Sequence, residues 1–186
     1  MREFIIESAL LTHGLKSISC EQLKRELDKN WKIAWLDHGQ IHVEAVDEFC
    51  EFRNRAAAYG RVNYFNYDQA VEEKRSGALT ASGTMRVCEE RGIPLVVTCG
   101  IGGLVPDQST EKCNDLRALM RSEVSMLATA FKDMFDAAYT IEQAEKAGVR
   151  VCISDQVLPE GYIFLHQKVC GMELPLAKEV SLTCCG

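Results

Sequence analysis

Leu95-Val96-Val97-Thr98-Cys99-Gly100-Ile101-Gly102-Gly103 is the stretch on which the fold turns. Its first three residues form a continuous apolar run with no polar residue to mark a solvent face. A parallel strand buried on both faces reads in this way. A helical pattern precedes it and Gly92-Ile93-Pro94 separates the two, so helix, tight connection and buried strand follow in order. The glycines that come next let backbone N–H groups approach a ligand closely, and ligands of open α/β sheets sit beyond the carboxyl ends of strands. A plain tight turn is the alternative. G-x-G-G is not a dinucleotide fingerprint, because the third spaced glycine and the helix start are missing.

Working outward, Phe4 to Ile6 reads as a short strand ending at Glu7. Ser19 with Gln22 three positions on is a capping box that predicts a helix over 20–30. Lys32 to Leu36 and Gln40 to Val43 flank Asp37-His38-Gly39, which predicts a hairpin with Gly39 at positive φ. Val46, Phe49, Cys50 and Arg53 recur at helical spacing, predicting a helix over 45–60 that Gly60 stops. Further helices are expected over 67–75, Thr84 to Arg91, Asn114 to Leu119 and Asp133 to Ala147, with strands at Val124 to Ala128 and Val149 to Ile153. This alternation predicts a three-layer α/β/α sandwich with a mostly parallel central sheet, formed by residues 1–186 as a single domain.

Composition narrows the partners. A net charge of −6 argues against a nucleic-acid partner and against an anionic membrane surface. No apolar run reaches the roughly 18 residues that a spanning helix needs. The opening Met1-Arg2-Glu3-Phe4-Ile5-Ile6-Glu7 has acids inside its apolar stretch, so a secretory signal is not expected and the chain reads as cytoplasmic. The nine cysteines lack C-x-x-C spacing and a nearby zinc-type histidine. They read as reduced thiols, most of them packed in the core.

Several residues could carry chemistry. Glu7, at a strand end, is either a capping glutamate or a partly desolvated general acid. Thr80, Ser82 and Thr84 around Gly83 are either ordinary caps or an anion site at a helix start. Glu111 and Asp115 offer oxygen ligands suited to a hydrated Mg²⁺ or Mn²⁺, or are simply solvated. Lys132, past an apolar strand, could serve as base, nucleophile or anion clamp, or open a helix on the surface. Cys99 and Cys113 leave a cysteine-based reading open, without a histidine paired to either in sequence.

Taken in order, these pieces resemble the pseudouridine-5′-phosphate glycosidase (indigoidine synthase A-like) family. Glu7-Ser8 to His13-Gly14 is similar to its E-S-x-x-x-x-H-G opening, Gly77 to Met85 to its next glycine and hydroxyl segment, and Thr98 to Gly103 to its T-x-G-I-G-G piece. The resemblance runs over roughly residues 4–165 and implies catalytic Glu7 and Lys132, the acid and the second lysine of that family. It implies a substrate pocket with His13, Arg61, Thr80, Ser82, Thr98, Gly102 and Gly103, and Asp115 holding Mn²⁺ (or Mg²⁺) mostly through waters. The substrate implied is a small nucleoside or sugar phosphate with a C–C glycosidic bond, and the assembly implied is a homo-oligomer, a trimer. Departures accompany it. Arg61 stands where the family's imine-forming lysine is expected, and a guanidinium cannot form an imine. Lys74 is a further lysine nearby, on the wrong helix face by spacing. Cys113 replaces a serine, and the chain reads as a shortened member lacking the family's C-terminal part. The alternative function is a non-catalytic relative that binds a sugar phosphate or serves as a subunit of an assembly. Tyr64, Phe65 and Tyr67 are expected either in an interface or in the core.

Overall fold

The computed structural model describes residues 3–132, 134–154, 161–165 and 182–184, with only the backbone described at 130, 152–154, 161–165 and 182–184. In chain order the elements are β1 (Ile5–Glu7), α1 (Cys20–Glu26), β2 (Lys32–Asp37), β3 (Gln40–Glu44), α2 (Val46–Arg53), β4 (Gly60–Val62), α3 (Tyr67–Glu72) and β5 (Gly77–Leu79). They continue with α4 (Ala81–Arg91), β6 (Leu95–Ile101), α5 (Asn114–Leu119), β7 (Ser125–Phe131), α6 (Ala137–Lys146), β8 (Arg150–Ser154), β9 (Gly161–Leu165) and β10 (Leu182–Cys184).

The strands form one sheet in the order β10-β8-β9-β7-β6-β1-β2-β5-β4, with β3 also paired to β2. Its centre, β7-β6-β1-β2, is parallel throughout, while the β2–β5, β2–β3, β7–β9, β8–β9 and β8–β10 pairs are antiparallel. Side chains alternate across this sheet with period two. Ile5, Ala34 and Leu36 join one core with Met85 and Val87 of α4, Leu116 of α5 and Ala144 of α6. Ile6, Ile33 and Trp35 join a second core with Leu23 of α1 and Phe49 and Phe52 of α2. Helices therefore cover both faces, as the expected three-layer sandwich requires. Among the described residues no helix is long and apolar enough to cross a membrane.

One junction in this sheet positions everything that follows. β3 runs along one edge of β2, from Ile33 to Asp37. β1 takes the other edge opposite Lys32 to Ala34, and β5 takes it opposite Trp35 and Leu36, running the opposite way. The two strands thus meet carboxyl end to carboxyl end. The fully buried Ser8, just past β1, closes the gap by accepting a hydrogen bond from the Leu79 N–H at 2.9 Å.

The elements follow the local sequence where short-range chemistry decides them. The Ser19/Gln22 capping box is present, and His38 and Gly39 both have positive φ at the tip of the β2–β3 hairpin. The helix expected over 45–60 instead ends at Arg53, and Gly60 opens β4 rather than stopping a helix. The Arg53 guanidinium donates to the Leu11, Leu15 and Ile18 carbonyls, anchoring that end of α2 to the loop before α1. Thr80 is a helix cap, one of the two readings given for it: it accepts from the Gly83 N–H, and α4 begins at Ala81 rather than at Thr84. Tyr67 is buried and hydrogen-bonded to Glu90, and Tyr64 and Phe65 are half-buried beneath Arg86, Arg117 and Arg121, so none is an exposed aromatic.

At Gly83 α4 presses against the sheet edge, since a Cβ there would run into the Val62 carbonyl oxygen. Gly83→Ala is expected to push α4 off β4 and to cost about 1–3 kcal/mol through overpacking, more than the gain of up to about 1 kcal/mol in helix propensity. A lower urea midpoint with an unchanged slope checks this; an unchanged midpoint would contradict the close contact.

Candidate active site

At the junction of β1, β5 and the end of β6 lies a cavity of about 320 Å³. Glu7, Arg61, Thr80, Ser82, Gly100, Gly102, Gly103, Asp115 and Lys132 line it. Asn63, Lys112, Cys113, Asn114 and Phe135 complete the wall. A smaller neighbouring cavity of about 110 Å³ shares Glu7, Arg61, Gly100 and Lys132.

Glu7 is the most perturbed acid of the site. It ends a strand that is hydrogen-bonded on both sides and leaves its side chain only 8% exposed. Burial pushes its carboxyl up to about 7, and the negative charge of Asp115 adds to that. The hydroxyl of the buried Thr98 donates to Glu7 Oε2 and pulls the other way, as do the charges of Lys132 and Arg61. The Glu7 carboxyl is thus poised to hold or release a proton near neutrality.

Asp115, in the first turn of α5, ties two backbones together. Its Oδ1 accepts from the Ser82 N–H at 3.2 Å and its Oδ2 from the Gly102 N–H at 2.9 Å. Gly102 permits this approach, because a Cβ there would lie 3.0 Å from Asp115 Oδ2 and 3.2 Å from Cys113 Sγ. Gly103 is equally tight, against Phe135 at 2.8 Å. The glycine segment is thus less a turn than the end of a strand: Gly100 and Ile101 still pair with β7, and the chain leaves the sheet only at Gly102.

Among the described residues no three His, Cys, Asp or Glu side chains converge as a metal-holding group. Asp115 spends one acceptor position of each oxygen on a backbone N–H. The free lone pairs fit a divalent ion that keeps most of its waters, bound through one carboxylate. Glu111 is exposed and paired with Arg117 at 2.9 Å.

Arg61 projects from β4 and Lys132 follows β7; both are exposed, so the strand-end lysine is not buried. Lys132 lays its stem over Gly100, where a Cβ would meet its Cγ at 3.6 Å. Thr80 and Ser82 touch through their hydroxyls at 3.1 Å. His13 does not line either cavity. Its Nε2 donates to the Tyr59 carbonyl at 3.2 Å and its Nδ1 faces the Thr12 hydroxyl at 2.9 Å, fixing the turn after β1. Lys74 lies at positive φ after α3, beside Gly39 and away from the cavity. Cys113 is buried with its thiol pushed up to about 11 by burial, and Cys99 is exposed beside Thr129. Sequence reasoning missed Asn63, Lys112, Asn114 and Phe135 as lining residues, since the segments after β4, β6 and β7 that carry them meet only through the long-range pairing of those strands.

A sandwich whose strand ends surround a buried carboxyl, with a lysine and an arginine in the same cavity, belongs to the α/β class, its candidate site lying at a break in the sheet. More particularly, the chain belongs to the indigoidine synthase A like protein family, whose model matches residues 5–167. It is 30% identical over 153 residues to the pseudouridine-5′-phosphate glycosidase of Thermus thermophilus, covering 78% of this chain and 54% of that protein. It is 33% identical to the Geobacillus kaustophilus pseudouridine-5′-phosphate glycosidase over 187 aligned positions, covering 95% and 62%. The chain spans about half the length of most of the curated relatives it matches. In fold it is similar to the prealnumycin C-glycosynthase AlnA, solved in complex with ribulose 5-phosphate. The TM-score there is 0.65 at 23% identity, over 80% of this chain and 51% of that one. An indigoidine synthase A-like protein from Thermotoga maritima gives 0.64 at 22% identity, over 78% and 52%.

Proposed function

We propose that the chain acts at C1′ of a phosphorylated C-linked pentoside, cleaving or forming the carbon–carbon bond between sugar and base. The observation that carries this reading is the buried Glu7 carboxyl, held near pH 7, in one cavity with the Lys132 amine. The names of the curated relatives and the ribulose 5-phosphate held by the AlnA structure support a sugar phosphate as the ligand class.

Arg61 cannot form an imine, so the nucleophile falls to Lys132. In its neutral form the amine bonds to C1′ as the ring oxygen leaves with an amine proton. The nitrogen electron pair then breaks the bond from C1′ to the base as the imine forms, and the base carbon takes the proton held by Glu7. Water hydrolyses the imine to the free sugar. Arg61, always charged, clamps the phosphate or a sugar oxygen instead. Asp115 and its neighbours would hold a hydrated Mn²⁺, which supplies positive charge near the substrate.

Borohydride added to protein and ribose 5-phosphate is expected to leave one reduced pentose phosphate on the Lys132 peptide. A label on another lysine would contradict the assignment. The arginine at position 61 favours a second reading, a subunit that binds the sugar phosphate without turnover. That reading expects saturable binding and no trapped adduct.

A further inference from the structure

Outside the cavity, two cysteines on different helices face each other. Cys20 is the first residue of α1 and is half-buried, while Cys50, in α2, is only 5% exposed. Each sulfur lies 4.0 Å from the other residue's main-chain oxygen, a reciprocal contact that brings the two residues side by side. The Arg53 Nη1 donates to Cys20 Sγ at 3.6 Å, and Cys20 Sγ reaches Asn54 Oδ1 at 3.7 Å. Lys24 lies near both thiols and is itself held by Asp47 at 2.7 Å.

From this juxtaposition we propose that Cys20 and Cys50 are a thiol–disulfide exchange site, which takes a small-molecule disulfide of the glutathione type and closes into a reversible bridge between α1 and α2. Cys20 is the more accessible sulfur, with the Arg53 guanidinium against it, so it is the one that a reagent from solution meets first. It attacks one sulfur of the reagent, the reagent's S–S bond breaks, and one thiol leaves. Cys50 gives up its proton and attacks the Cys20 sulfur of the mixed disulfide, and the second thiol leaves. The two cysteine protons end on the two released thiols, and the two electrons pass from protein to reagent. Burial, and then the hydrogen bond and charge of Cys20, push the Cys50 thiol up to about 12, against the opposite pull of Lys24 and Arg53. The second step is therefore the slower one, and a Cys20 adduct precedes closure.

The bridge would lock α1 to the helix whose Arg53 holds the Leu11, Leu15 and Ile18 carbonyls, in the loop just past Glu7. Reduced protein treated with oxidised glutathione at mildly alkaline pH, followed by intact mass and peptide mapping, tests the proposal. A glutathione adduct on Cys20 is expected first. A linked Cys20–Cys50 peptide should then replace it, two hydrogens lighter than the reduced pair. Cys50→Ala should stop at the Cys20 adduct. Cys20→Ser, a mild change at a half-buried position, should form neither, and oxidation should no longer raise its Tm. A wild-type adduct on Cys20 that never converts, or modification of the exposed Cys99 with Cys20 unreacted, would overturn it.

Discussion

Glu7→Gln is expected to lower turnover of a phosphorylated C-nucleoside by about 10²–10⁴-fold, the usual worth of a positioned acid, while making the folded protein more stable above neutral pH. Both effects come from one carboxyl. In the cleavage direction the protonated form is the active one, so wild-type activity should fall as pH rises through about 7, and the variant should lose that limb. The stability effect has a definite sign. In the unfolded chain Glu7 ionises near 4.5, whereas in the folded protein it holds its proton to about 7. Below about 4.5 it is neutral in both states and burial costs nothing. From about 4.5 upward the unfolded chain ionises while the folded group keeps its proton, so stability falls progressively until the buried carboxyl ionises near 7, where the loss is complete. The interval from 4.5 to about 7 corresponds to about 3 kcal/mol. Glutamine keeps an acceptor for the Thr98 hydroxyl and escapes that cost. Urea unfolding at about pH 4 and about pH 8.5 should separate the two proteins far more at the higher pH. A constant difference would mean that Glu7 is ionised throughout.

Lys132→Ala is expected to abolish turnover while leaving the fold intact. The side chain is exposed and crosses Gly100 rather than filling the core, so its removal opens no cavity. Lys132→Arg should fail equally, because a guanidinium keeps the charge but cannot supply a neutral amine. Substantial turnover by the arginine variant would make Lys132 an electrostatic clamp and would return the chemistry to another group. Substrate binding should survive in both variants, since Arg61 and the Thr80–Ser82 segment remain.

The range of each interaction decides whether a feature of this chain shows in its sequence. The Ser19 cap, the His38-Gly39 turn and the Leu95-Val96-Val97 strand were legible because local chemistry decides them. The strand-end position of Glu7 was legible for the same reason. β4 and β5 were not. Each has three residues and begins with glycine, and each exists because a distant strand supplies its hydrogen bonds. Missing β4 also hid how Arg61 enters the cavity and why α2 has to stop at Arg53. The role of Asp115 as a clamp between Ser82 and Gly102 depends on contacts 33 and 13 residues away in the chain. No local pattern encodes such a role. His13 belongs to a specific sequence resemblance, yet its ring nitrogens are directed to Tyr59 and Thr12.

The most direct measurement is uracil released from pseudouridine 5′-phosphate with Mn²⁺, followed by chromatography for the wild-type chain beside Lys132→Ala. The account predicts release by the wild type that disappears in the variant. Equal release by both proteins, or none from a folded wild type that binds the substrate, would contradict it.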